Sequence, residues 1–178
     1  YNYRYTTLTD TLNTNITYLT NWRRGSLNND MAYNLSRTGA IAKFHLWRGN
    51  IDYLHRFKND WLIKSRLDWQ YCNQTLTPGM QISMGGSTSV RGFNEWELSG
   101  DKGVYGSIEA YTPSFKPGFR LLAFFDYGYL RAFDEPAMAE IFGIPQREYV
   151  SSLGLGLRVS MNKYWIFNAD YAQVLRGT

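Results

Sequence analysis

Very little of this sequence is suited to the chemistry that most enzymes use. There is one cysteine, and there are two histidines, in 178 residues. The lone Cys72 has no second thiol, so neither an intramolecular disulfide nor a cysteine-rich metal site can form. It falls at an alternate, polar-side position of a strand-like run and reads as a small buried side chain rather than a nucleophile. His45 and His55 have no acid or cysteine arranged around them in the sequence as a triad or a metal cluster. No GxxxxGK phosphate-binding loop occurs. We therefore expect no enzyme activity, no cofactor and no metal site.

Long apolar runs are missing as well. No stretch approaches the roughly 18–20 uninterrupted apolar residues of a transmembrane helix, which excludes a helical membrane protein. The first residues, YNYRYTTLTD, have neither the basic start nor the apolar run of a signal peptide. A transmembrane barrel is untouched by these absences, because its strands need only about ten residues with every second one apolar. The net charge of +4 comes from 13 Arg and 6 Lys against 15 acids. The only close basic pair is Arg23 with Arg24, so no stripe for a phosphate backbone exists and no nucleic-acid partner is expected. What the chain does have is aromatic residues at 17%, together with 13 Thr, 13 Asn and 16 Gly. That mixture favours strands and turns, in one domain with a sizeable core.

Alternation supplies the organisation. In residues 12–24, Leu12, Ile16, Tyr18 and Trp22 share one parity, and Asn13, Asn15, Thr17, Asn21 and Arg23 share the other. Residues 25–38 lose the pattern and read as a long loop. Residues 40–57 resume it, but the apolar parity changes near Arg48 and Gly49, which predicts a bulge. In the next run Trp61, Ile63, Leu67, Trp69 and Tyr71 oppose Lys64, Arg66, Asp68, Gln70, Cys72 and Gln74. Residues 103–111 form a shorter strand with Val104, Ile108 and Ala110 against Ser107 and Glu109. Then Leu121, Ala123, Phe125, Tyr127 and Tyr129 oppose Arg120, Leu122, Phe124, Asp126 and Gly128. Residues 151–160 set Leu153, Leu155, Leu157 and Val159 against Gly154, Gly156 and Arg158. The last run, residues 164–174, sets Trp165, Phe167 and Tyr171 against Asn168 and Asp170.

Seven strands result. Short connections at residues 58–60, 112–118 and 161–163 alternate with long ones at 25–39, 77–102 and 130–149. If each strand turns back on its neighbour, all short turns lie at one end and all long loops at the other, as in an outer-membrane barrel. A soluble sheet could also alternate. It would seldom oppose an apolar row to one holding Lys64, Arg66 and Asp68 while carrying aromatics such as Trp61 and Tyr71 at both strand ends. Seven strands cannot close a barrel of even strand number. The chain therefore reads as a piece, with residues 1–9 as the tail of an eighth strand and a final strand missing.

The connection at 77–102 contains GGSTSVRGF, residues 85–93, and then NEWELSGDKG, residues 94–103. Further along come FFDYG, with Phe124, Asp126 and Gly128, and the Gly-Leu-Gly-Leu-Arg run from Gly154 to Arg158. Four letters of VRGF alone carry little. Followed by LSGDKG and FFDYG at this spacing, they are specific. The chain resembles, over essentially its whole length, the C-terminal barrel region of the two-partner-secretion transporters of the Omp85 superfamily. These are outer-membrane proteins of Gram-negative bacteria that export, and often activate, haemolysins and filamentous adhesins.

The resemblance implies an all-β fold: the C-terminal part of an antiparallel transmembrane β-barrel of about 16 strands, with a long loop folded inward. It puts residues 90–93 at the loop tip, with Val90, Gly92 and Phe93 as its motif and Gly100 and Asp101 following. It puts Arg91 against Asp126 on the inner wall, a side that parity also gives to Asp126. An Arg fork on a carboxylate would pin the loop directionally as well as electrostatically. Glu109, Arg120 and Arg158 are candidates to extend that lumen network. Gly92 would allow a conformation closed to other residues, and Phe93 would anchor by packing. Gly128, Gly154 and Gly156 either thin the wall where the loop passes or relieve ordinary strands.

The implied partners are a secreted exoprotein of haemolysin or adhesin type, outer-membrane lipid with lipopolysaccharide, periplasmic domains and a plug helix N-terminal to this region, and the remaining strands. A barrel-assembly factor of the same superfamily shares VRGF and the Asp-Gly pattern, although LSGDKG favours the secretion branch. A passive porin is the other membrane alternative. All the membrane readings require that the full-length protein leave the membrane only with detergent. Recovery as a stable monomer without detergent would overturn them.

Overall fold

The computed structural model describes residues 1–22, 25–133, 146–160 and 164–177. Its strands, in chain order, are β1 (Asn2–Thr6), β2 (Asp10–Thr20), β3 (His45–Arg56), β4 (Leu62–Tyr71), β5 (Ile82–Met84), β6 (Leu98–Gly100), β7 (Lys102–Tyr111), β8 (Phe119–Arg131), β9 (Arg147–Ser160) and β10 (Ile166–Arg176). Eight of them form one sheet in the order β1-β2-β3-β4-β7-β8-β9-β10, every neighbouring pair antiparallel. The remaining two, β5 and β6, pair only with each other. The fold is therefore an antiparallel all-β sheet of a partial barrel, with β1 supplying a strand from the first residues. The connection read at 161–163, the pair Arg23 and Arg24 and most of the connection at 130–149 lie outside the described residues.

Alternation holds because the two faces of the sheet meet different surroundings. The outer face carries Ile16, Tyr18, Trp47, Ile51, Leu67, Tyr71, Ile108, Leu121, Phe125, Tyr127, Leu153 and Leu155, all exposed. The inner face of β8 is buried at Leu122, Phe124, Asp126 and Leu130, alternate residues of the same strand. The connections from β3 to β4 and from β7 to β8 are short and lie at one end. The long ones, residues 21–44 and 72–101, leave from the other.

There is no bulge in β3. Its register runs unbroken from Asp10↔His55 to Thr20↔His45 on one side and from Trp47↔Tyr71 to Arg56↔Leu62 on the other. The apolar parity changes because the inner face changes character along the strand. Towards the long-loop end Leu46 faces inward and is buried with Phe44, Cys72 and Leu76 beneath the loops. Further down, the same face carries Arg48, Asn50 and Asp52. Gly49 faces outward, where the indole of Trp69 on β4 covers it so closely that a Cβ would fall 2.7 Å from the ring. Burial also raises the Cys72 thiol pKa, consistent with an inert packing residue.

Residues 25–38, read as plain loop, contain a short helix, α1 (Asp30–Ser36). Asn29 caps it by accepting the Ala32 N–H at 3.0 Å. The N-x-x-A spacing carries little sequence signal because the helix has no fully buried residue. Its partly buried Tyr33 packs on the Leu46 cluster.

The inner wall is tightest at Gly154, where a Cβ would fall 2.2 Å from the Phe124 ring and 2.2 Å from the Tyr171 carbonyl oxygen. Phe124 is fully buried and cannot retreat. Gly154→Ala should therefore cost the full-length protein about 1–3 kcal/mol by overpacking, read as a lower midpoint of unfolding. An unchanged midpoint would refute the close approach.

Candidate functional site

The connection between β4 and β7 turns back over the inner face. A 3₁₀ turn (Pro78–Met80) leads into β5, and β6 returns to the start of β7. Between β5 and β6 the chain drops along the wall to Val90 and Arg91. Met84 and Val90 are completely buried with Leu130 of β8 and Val150 of β9, and Ile82, Phe93, Leu98 and Tyr105 pack around them. Gly128 makes this possible, since a Cβ there would lie 2.3 Å from the Met84 sulfur. Gly92 adopts φ +94°, a left-handed conformation that side chains disfavour. Its α-carbon faces Val174 and Ala172 of β10.

At the tip the Arg91 guanidinium forks onto Asp126. Nε donates to Oδ2 at 2.8 Å, Nη2 donates to Oδ1 at 2.7 Å, and the Arg91 backbone N–H donates to Oδ2 at 3.0 Å. Asp126 is wholly buried. The third guanidinium nitrogen, Nη1, lies 2.8 Å from Glu109 Oε1 and 3.5 Å from Asp170 Oδ2. The plane of the group rests on Phe124, 3.4 Å from the ring centroid. Arg91 is therefore bonded on its edges and stacked on a face, which suits a planar delocalised cation better than an ammonium.

Around this centre Tyr111 Oη donates to Glu109 Oε2 at 2.6 Å, and Arg158 donates to both oxygens of Asp170, with Nη2 at 2.9 Å. Lys64 stands opposite Glu109 in the register of β4 and β7. The structure thus brings together Arg91, Asp126, Glu109 and, through Asp170, Arg158. Gly154 and Gly156 make room for wall side chains rather than for the loop: Phe124 at the first and the Asp170 carboxylate at the second. Asp170 and Tyr111 belong to the site although no sequence motif marks them; for Asp170 the one available signal is its parity, opposite to that of Trp165, Phe167 and Tyr171.

Arg120 does not join this cluster. It lies six positions before Asp126 along β8, roughly 20 Å of extended chain, beyond the reach of its side chain. It clamps the short turns instead, donating to Asp60 Oδ2 at 2.7 Å, to the Asp60 carbonyl at 2.9 Å and to the Thr112 carbonyl at 2.8 Å. The Ser114 N–H donates to the same carboxylate. These bonds, that from Ser114 foremost, hold the Asp60 pKa below its usual value.

Gly100 and Asp101 lie apart from the tip. Gly100 ends β6, and Asp101 is completely buried at the mouth of the barrel. Its Oδ1 accepts from Arg37 Nη1 at 2.6 Å and from the Leu76 N–H at 2.8 Å. Its Oδ2 accepts from Arg37 Nη2 at 3.0 Å and from the Phe133 N–H at 2.6 Å. One carboxylate therefore ties together the connections that follow β2, β4 and β8. Arg37 was missed because a lone Arg in a patternless loop has no sequence signature.

His55 has one acid beside it, a contact that sequence spacing does not show. Its Nδ1 lies 2.7 Å from Asp10 Oδ1, which also accepts from Tyr53 Oη at 2.7 Å. The group lies at the short-turn rim, and no cluster of His, Cys, Asp or Glu able to hold a metal occurs among the described residues.

Residues 1–159 match the family model of the haemolysin secretion/activation proteins ShlB/FhaC/HecB. Solved structures with the same fold include CdiB from Escherichia coli, with TM-score 0.74 and 18% identity, covering 99% of this chain and 32% of that one. CdiB from Acinetobacter baumannii has TM-score 0.65 and 24% identity, covering 98% of this chain and 28% of that one. The chain thus spans about a third of the length of these structures. No curated protein sequence matches it.

Arg91→Ala would leave the fully buried Asp126 without its cation, at a cost of about 3–5 kcal/mol. Arg91→Met combined with Asp126→Leu should recover most of that loss. Equilibrium unfolding of the full-length protein reads both. A double variant no better than Arg91→Ala would refute the pairing as the source of the loss.

Proposed function

Because this chain belongs to the haemolysin secretion/activation protein family, we propose that it is the C-terminal barrel region of a transporter that secretes a haemolysin- or adhesin-type exoprotein in two-partner secretion. The family places it in the bacterial outer membrane as a β-barrel protein. In this reading, the cargo passes unfolded from periplasm to surface through the barrel, and its folding outside supplies the driving force. No residue of the chain has to make or break a covalent bond. Cargo recognition falls to periplasmic domains N-terminal to this region, and a plug helix there closes the resting pore.

The observation that supports this reading over a passive porin is the buried seat of Arg91. A porin constriction needs fixed charges facing water. Here the cation is sequestered between Asp126, Glu109 and the Phe124 ring. Such a seat holds one loop conformation strongly and offers no partial alternatives, because a displaced Arg91 leaves a buried carboxylate bare. We assign Arg91 and Asp126 as the loop anchor, Glu109 and Arg158 as its extension, and Val90, Gly92 and Phe93 as the motif that seats it. The barrel-assembly alternative is distinguished by the number of periplasmic domains in the full-length protein.

The test is export of the exoprotein encoded beside the transporter by wild type, Arg91→Ala, Asp126→Ala and the charge-swapped pair, with barrel level in the outer membrane measured alongside. Both single variants should lower export about tenfold or more at equal barrel level, a barrier change of ~1.4 kcal/mol, and the swapped pair should recover part of it. Normal export by both single variants would sink the anchor assignment.

A further inference from the structure

One cross-strand row on the outer face changes character halfway along. At the long-loop end, register places Tyr18 of β2 beside Trp47 of β3, and Trp47 beside Tyr71 of β4. The Tyr18 and Trp47 rings are 4.7 Å apart. This is the aromatic rim expected where a barrel leaves the hydrocarbon. On β7, β8 and β9 the same row continues as Lys102, Arg131 and Arg147, with Lys102 opposite Arg131 and Arg131 opposite Arg147. Arg176, at the end of β10, stacks 5.0 Å from the Tyr149 ring on β9. Four adjacent strands therefore each place a cation at this rim.

Like charges directly opposite on neighbouring strands repel. Where this sheet opposes Arg120 to Arg158, Asp60 and Asp170 neutralise them. Arg37, Arg66, Arg91, Arg120 and Arg158 each hold a carboxylate. Among the described residues no carboxylate pairs with Lys102, Arg131, Arg147 or Arg176. Three of them, Lys102, Arg131 and Arg176, lie against aromatic rings. Lys102 Nζ lies 5.4 Å from the Tyr71 ring and 5.1 Å from Phe133, and the Arg131 guanidinium lies 5.2 Å from Phe133. Arg131 Nε is buried and has no acceptor. One rung towards the membrane centre, Tyr129 and Tyr149 pack 4.8 Å apart, and beyond them Phe125, Leu153 and Leu155 present an exposed apolar surface.

We propose that Lys102, Arg131, Arg147 and Arg176 form a binding site for a phosphorylated, acylated glycolipid of the outer leaflet, the lipid A part of lipopolysaccharide. Phosphate accepts several charge-assisted hydrogen bonds at once and relieves the repulsion along the row. The aromatic side chains meet the sugar level, and the acyl chains lie on the apolar surface below. The site depends on outer-membrane location and not on secretion.

The full-length protein in detergent should retain bis-phosphorylated lipid A in native mass spectrometry. The triple variant Lys102→Gln, Arg131→Gln, Arg147→Gln should bind it about tenfold more weakly or worse, a change of about 1.4 kcal/mol. Lys58→Gln with Lys116→Gln, at the short-turn end, should leave binding unchanged. If the triple variant does not fold, the exposed Arg147→Gln alone should show a weakening. Equal retention of lipid A stripped of its phosphates would overturn the proposal. So would unchanged binding by the triple variant, or by Arg147→Gln where the triple does not fold. Displacement by inorganic pyrophosphate at the same concentration as lipid A would also overturn it, by showing a site for the anion without the lipid.

Discussion

A guanidinium held away from water is the constraint around which this part of the barrel is arranged. The two nearest carboxylates are themselves buried, Asp126 completely and Glu109 almost so. Removing such charges from water is costly, and the attraction between them offsets that cost only when the geometry is good and every donor is used. Here the fork, the backbone N–H and the remaining guanidinium nitrogen all find oxygen. The wall is shaped to permit it. Gly154 lets Phe124 lie flat beneath the cation, Gly156 admits the Asp170 carboxylate, and Gly128 admits Met84 of the loop. Gly128 on β8 and the pair Gly154 and Gly156 on β9 thus serve one placement.

The inner face is consequently divided. Where the loops cover it, near the mouth, it is apolar around Leu46 and around Met84. Deeper, it carries the charged and amide residues of a wet lumen. Asp101 stands at the upper margin and joins three loops through Arg37, Leu76 and Phe133. It directly follows β6, the return strand of the inward connection. Loop roof and inward tip are thus parts of one covalent path, each fixed by a buried aspartate holding an arginine fork.

Charge is paired inside and aromatic or cationic at the outer rim. The buried cations Arg37 and Arg91 meet carboxylates, because a charge taken out of water needs a counter-charge. Lys102, Arg131 and Arg176 meet rings, and the positions of the rim cations follow from strand pairing rather than from proximity in sequence. Lys102, Arg131, Arg147 and Arg176 are spread over more than 70 residues, so a search for basic runs sees nothing.

Much of this was legible in residue order. Alternation gave the faces of β2, β4, β8 and β9, because a strand between lipid and lumen must repeat with period two. Connection lengths gave the antiparallel order, and VRGF with FFDYG pointed to Arg91 and Asp126. The rest depended on the folded sheet. The parity change in β3 looked like a bulge and is instead a change in what the inner face touches, which no local pattern reports. Arg120 shares a strand and a face with Asp126 but is too far along it to meet Arg91. Arg37 finds Asp101, and Asp170 finds Arg91, across spans of 64 and 79 residues. Periodicity decides which side of a wall a residue faces, because that is a property of the backbone. Which buried charge meets which is decided by register and loop path, and these exist only once the strands have paired.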